Sequence, residues 1–119
     1  MSYDREKRNR PRARVKWPVI LQTDQGDIQG ETLNITVDGA LIRCQETLEP
    51  DETIEIVIDV PALVRPLKIP AQVIHSSVSG TADEISYYEI GLRFAELSEK
   101  NRWLISTAVQ RESGVMLMP

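Results

Sequence analysis

The stretch Ile54-Glu-Ile-Val-Ile-Asp-Val60 puts apolar side chains at 54, 56, 58 and 60, with Glu55, Val57 and Asp59 between them. A period of two is that of a β-strand with one face turned to a core. Upstream, Val15, Trp17, Val19 and Leu21 alternate with Lys16, Pro18, Ile20 and Gln22, predicting a first strand. Pro18 predicts an edge position or a bulge there, because proline has no N–H to give a ladder. Asp24-Gln-Gly-Asp27 reads as a hairpin turn, Ile28 to Ile35 as a second strand and Ala40 to Gln45 as a third. The polar stretch Asn34 to Gly39 is the turn between them, and Glu49 to Glu52 is a further loop.

Downstream, Pro61 to Pro66 breaks the pattern. Leu67, Ile69, Ala71 and Val73 form one face of a fifth strand, Ser76 to Asp83 a loop of small residues, and Tyr88, Ile90, Leu92 and Phe94 one face of a sixth. The last element changes period. Ser98 is a good N-cap, Glu99 suits the positive end of a helix, and Leu97 is placed to staple its entry. Trp103, Leu104, Ala108 and Val109 recur at helical spacing, so a helix is predicted over 99–112, ended by Gly114, with a short apolar tail to Pro119. Six short strands and one helix predict a mainly-β domain, a small antiparallel barrel or sandwich, whose helix caps one end.

The length of 119 residues fits one domain with one core. No apolar run approaches the roughly 18 residues of a membrane span. The basic N-terminus lacks the apolar segment of a secretory signal. The single cysteine, Cys44, has no partner for an internal disulfide, which fits a reducing cytoplasm.

Charge divides the chain in two. Residues 1–16 carry seven basic side chains and two acidic ones, a balance of +5; the whole chain is −4, so the remainder is −9. Residues 1–14 have no apolar periodicity and read as a flexible basic arm on an acidic body, with 15–112 the folded unit and 113–119 a tail. An acidic body argues against a broad nucleic-acid face, but a small anion held at one spot remains open.

Enzymatic readings do poorly. His75 is the only histidine and Cys44 the only cysteine, so a zinc site of the usual kind is out of reach. Both read as structural or surface residues. The carboxylates are scattered singly, and no Gly-rich phosphate loop is present. The arginines are better candidates: a guanidinium is a planar fork of donors that holds a phosphate, or the O6/N7 edge of guanine, in two hydrogen bonds. The plainer reading of the arm is a solubilising tail or a nonspecific polyanion contact. In the turn, Asn34 donates and accepts, Thr36 offers a hydroxyl, and Gly39 permits positive φ or close ligand approach. The plainer reading of the turn is a hairpin with local side-chain caps.

Together these stretches resemble the PilZ domain, a bacterial receptor domain for cyclic di-GMP. That family carries Arg-x-x-x-Arg on an N-terminal arm and Asp/Asn-x-Ser-x-x-Gly between its second and third strands. Arg8-Asn-Arg-Pro-Arg12 resembles the first motif, and Asn34-Ile-Thr-Val-Asp-Gly39 the second, with Thr36 where serine is usual. Gly91-Leu-Arg-Phe94 resembles a further Gly-x-x-Phe element. Arg10 and Arg14 satisfy the arginine spacing too; Arg8 and Arg12 are preferred because Arg12 then stands just before the first strand, as in the family.

The resemblance implies a six-stranded antiparallel β-barrel with a C-terminal helix and a flexible arm. It implies a non-catalytic cytoplasmic receptor of bacterial second-messenger signalling, with cyclic di-GMP as ligand, no cofactor or metal, no specific DNA or RNA, and a downstream bacterial protein as partner. Arg8 and Arg12 would hold guanine edges and phosphates, while Asn34, Thr36 and Gly39 line the other wall. Lys7, Arg10, Arg14 and Asp38 are secondary candidates. Ligand binding would order the arm against the barrel. The alternative is a nucleotide-independent interaction module whose arm contacts polyanions or membrane nonspecifically.

Overall fold

The computed structural model describes residues 13–80 and 85–113. Six strands are present: β1 (Pro18–Thr23), β2 (Gly26–Ile35), β3 (Gly39–Cys44), β4 (Thr53–Ile58), β5 (Leu67–Gly80) and β6 (Ile85–Phe94). One helix, α1 (Glu99–Ser113), follows. The strands close into a barrel in the order β1-β2-β3-β6-β5-β4, every pair antiparallel. Closure leaves no strand of the barrel with an open edge. Pro18 is therefore not on an edge, contrary to expectation. It is the first residue of β1, one step before the β1–β4 pairing begins at Val19 and Ile58; its carbonyl accepts from the Asp59 amide at 2.9 Å, and its missing N–H leaves out the reciprocal bond at the end of the ladder.

The alternation seen in Ile54 to Val60 is the packing pattern. Ile56, Ile58, Ile69, Val73, Leu21, Ile42 and Ile90 meet inside the barrel with almost no exposure. The helix joins the core through Ile105 and Val109, four apart on one face, supported by Leu104 and Ala108. Trp103, expected on that inner face, is 65% exposed. It lies two residues before Ile105, about 200° around a helix of 3.6 residues per turn. Ser98 caps the helix as expected, its Oγ accepting from the Asn101 amide at 3.0 Å.

The first strand begins later than its alternation predicts. Residues 15–17 carry no strand pairing, yet they are bound to β2 through one side chain. Thr32 is fully buried; its Oγ1 accepts from the Trp17 amide at 2.9 Å and donates to the Val15 carbonyl. The Thr32 amide in turn donates to the Trp17 carbonyl at 2.9 Å. Thr32→Val is thus expected to strand two backbone groups at once and to lower stability by about 2–3 kcal/mol. Urea unfolding checks this, with Thr32→Ser, which keeps the hydroxyl, remaining near the parent.

The expected loop at Ser76 to Asp83 is also revised. Residues 76–80 extend β5 and pair with 85–90 of β6, a ribbon that becomes two-stranded beyond Tyr88, where β3 ends. Serines 76, 77 and 79 give no apolar alternation, so only the backbone ladder, not a buried face, makes this strand. Residues 81–83 lie outside the described residues, as do the ending glycine, Gly114, and the apolar tail.

Candidate functional site

The turn between β2 and β3 is placed by an irregularity in β2. Thr32 pairs with Ile42 but Asn34 pairs with Leu41, so β2 carries one extra residue between them. A regular strand that buries Thr32 would also point Asn34 inward. The bulge breaks that parity, burying Ile35 and turning Asn34 toward the outer face.

The turn then closes on itself. The Thr36 amide donates to the Gly39 carbonyl at 2.9 Å, and the Thr36 hydroxyl accepts from the amides of Asp38 at 3.0 Å and Gly39 at 3.3 Å. The hydroxyl expected to face a ligand is therefore also the internal cap of the hairpin. Its proton remains available to donate outward. Gly39 does not have the positive φ that a glycine at a turn allows. A Cβ there would lie 2.1 Å from the Leu92 carbonyl oxygen of the neighbouring strand. The Phe94 amide donates to the Asp38 carbonyl at 2.9 Å, so the turn is seated against β6 as well.

A cavity of about 430 Å³ opens beside this turn on the barrel's outer face. Asn34, Thr36, Asp38 and Gly39 form one wall. Leu41 of β3, Ile74 and His75 of β5, and Gly91 and Arg93 of β6 form the floor and the opposite wall. Ile74, His75 and Arg93 were not among the sequence candidates. Arg93 was legible in principle: Ile90 and Leu92 point inward, so 91 and 93 must point outward. His75 was not, because a second bulge decides its direction.

The root of the basic arm comes to the same place. Ala13 forms an isolated antiparallel bridge with Ile35, its amide donating to the Ile35 carbonyl at 3.0 Å and its carbonyl accepting from the Ile35 amide at 2.9 Å. Ile35 stands between Asn34 and Thr36. Arg12 is one peptide bond beyond that bridge. Lys7, Arg8, Arg10 and Arg12 themselves lie outside the described residues, and Arg14 is exposed.

A larger recess, about 700 Å³, lies around Arg43. There the Arg43 guanidinium is already engaged, 3.7 Å from the Glu31 carboxylate and 4.1 Å above the Tyr87 ring. None of the turn residues lines it, so the smaller cavity is the candidate site. Cys44 is buried in the barrel and its thiol donates to the Glu46 carbonyl at 3.1 Å. Burial pushes its pKa up and the nearby Glu46 carboxylate adds to this, against the opposing effect of the Glu46 hydrogen bond, which keeps it a protonated core residue at neutral pH. Among the described residues no three of His, Cys, Asp and Glu gather as a metal site, and no helix is long and apolar enough to cross a membrane.

Comparison with known proteins agrees with the barrel. The sequence matches the PilZ domain family over residues 6–111. No curated protein matches it in sequence. Among solved structures, the inhibitor of motility MotI/DgrA from Bacillus subtilis superposes with a TM-score of 0.76 at 15% identity, covering 92% of this chain and 52% of that one. The PilZ domain of YcgR from Escherichia coli, solved with c-di-GMP, gives 0.72 at 11% identity, covering 87% and 89%. The K. pneumonia MrkH–c-di-GMP complex gives 0.68 at 19% identity, covering 82% and 48%. The chain thus spans about half the length of MotI and MrkH. At these identities the likeness is one of fold.

Proposed function

The chain belongs to the PilZ domain family, and from that premise we propose that it is a non-catalytic receptor for cyclic di-GMP, held between the cavity beside Asn34–Gly39 and the basic arm. The observation that carries this reading is the Ala13–Ile35 bridge, which pins the root of the arm between Asn34 and Thr36. The pairing is antiparallel, and Trp17 is tied to Thr32 further along β2. Arg8 and Arg12 are the proposed ligand pair, with Arg10 and Arg14 the alternative register.

The charge balance supports the same division of labour. Cyclic di-GMP carries two phosphates, whereas among the described residues the charged ones lining the cavity are Asp38 and Arg93, which offset one another. The cavity walls supply shape and hydrogen bonds; the arm, at +5 over residues 1–16, supplies the charge. Its volume falls within the roughly 300–1,000 Å³ of small-molecule sites. The finer steps of the proposal are that the ligand orders the arm against the barrel and that the closed form presents a new surface to a downstream protein.

Calorimetric titration with cyclic di-GMP tests the reading. Saturable binding is expected at micromolar nucleotide, with the adenine analogue rejected. Folded protein that takes up no nucleotide at concentrations on the order of tens of micromolar would sink it. Binding that ignores base identity and falls steeply with salt would instead favour a nonspecific polyanion contact.

A further inference from the structure

We propose that His75 is a stacking platform for one guanine base of the nucleotide, an inference that rests on the receptor reading above. Its position is the product of a bulge. Leu67, Ile69, Ala71 and Val73 of β5 point inward, so regular alternation would send His75 into the barrel. Instead Val73 pairs with Leu92 and His75 with Gly91, with Ile74 as the extra residue. The inserted residue reverses the parity, leaving Ile74 44% exposed and bringing His75 to the outer face.

Gly91 then decides how the ring lies. A Cβ built on Gly91 would fall 2.4 Å from Cε1, 2.7 Å from Nδ1 and 3.1 Å from Nε2 of His75. Three contiguous ring atoms occupy the space that any other residue's side chain would take. The imidazole therefore lies over the bare Gly91 backbone, backed by β6 on that side, while the ring remains exposed and lines the cavity with Asn34 and Gly39. A planar ring held from behind and open in front is what a base stacks upon, and histidine serves in this way in nucleic-acid recognition. The exposed Ile74 extends the apolar ledge beside it. The arm grips the ligand's charge; His75 contacts a base face.

Titration of cyclic di-GMP into the full chain and its His75→Ala, His75→Phe and His75→Leu variants tests this, with thermal melts confirming that each is folded. Removing the ring is expected to weaken binding roughly ten-fold, as base–aromatic stacking elsewhere does. Phenylalanine should restore most of the affinity, and leucine, of similar bulk but without a ring, should not. His75 is the only histidine in the sequence, so its ring proton signals are unambiguous by NMR. They should move upfield as guanine covers the ring. Unchanged affinity in His75→Ala, recovery with leucine, or ring signals that stay in place while the unaltered protein binds would each overturn the stacking role and leave the receptor reading standing. No binding by the unaltered protein would overturn both.

Discussion

Arg12→Ala is expected to weaken cyclic di-GMP binding by at least about thirty-fold while leaving the melting temperature of the empty protein unchanged. The figure corresponds to about 2 kcal/mol, the lower end of what truncating one partner of a desolvated charge pair costs. The site's described walls hold a single arginine, Arg93, against Asp38, so little within the cavity can substitute for a lost arm charge. Arg8→Ala is expected to behave alike. Ala13 is joined to Ile35 by two backbone hydrogen bonds, which truncating the side chain of residue 8 or 12 leaves in place. Calorimetry on the four single arginine variants separates the two registers. Loss confined to Arg8 and Arg12 supports the register adopted here; loss confined to Arg10 and Arg14 replaces it. Equal modest losses at all four positions, diminishing with salt, would mean the arm acts only as a diffuse positive charge.

Gly39→Ala is expected to act on the fold first. The new methyl would stand 2.1 Å from the Leu92 carbonyl oxygen, with the Arg93 Cα at 3.2 Å. Both obstacles are backbone, and both belong to the ladder that joins β3 to β6, where Gly39 pairs with Arg93. The strands must separate, which strains the barrel and unseats the turn held by Thr36. A loss of about 2–3 kcal/mol, a fall in Tm of roughly 10 °C, is expected by thermal melt. Gly91→Ala makes an informative contrast. The obstacle there is the His75 ring, a side chain that can swing away, so stability should suffer much less while the cavity floor changes. If Gly39→Ala melted like the parent, close strand approach would not be the reason for glycine at this position.

The strands were legible because their determinants are local, whereas the choice between barrel and sandwich was left open by periodicity and pointed to a barrel only through the family resemblance. A period of two in Ile54–Val60, Leu67–Val73 and Tyr88–Phe94 says where strands lie and which face is buried, whatever their neighbours. Helix capping at Ser98 is similarly local. Failures occurred where a tertiary ladder or helix phase overruled composition. The serines of the β5–β6 ribbon have no apolar face to announce a strand, and Trp103, apolar but turned outward, was assigned to the core.

The candidate site divides along the same line. Residue types made Asn34, Thr36 and Gly39 a plausible turn and the resemblance to the family made them candidates; the structure puts all three around one cavity. Two of them have structural duties the sequence could not reveal. Thr36 caps its own turn, and Gly39 admits the Leu92 carbonyl. The opposite wall came only from the folded chain. Whether His75 faces the core or the solvent depends on one extra residue in β5, and a bulge is fixed by how two distant strands align rather than by either strand's own pattern.

The sequence by itself thus determined the strand pattern, the helix, the charged arm and the turn, because each is written in neighbouring residues. Tertiary structure alone decided that the arm's root meets that turn, since Ala13 and Ile35 are brought together only when β2 folds back along the entering chain. It also decided that Asn34 and His75 face the same cavity. Both directions are set by bulges, and a shift of one residue reverses the face on which every later side chain in a strand appears.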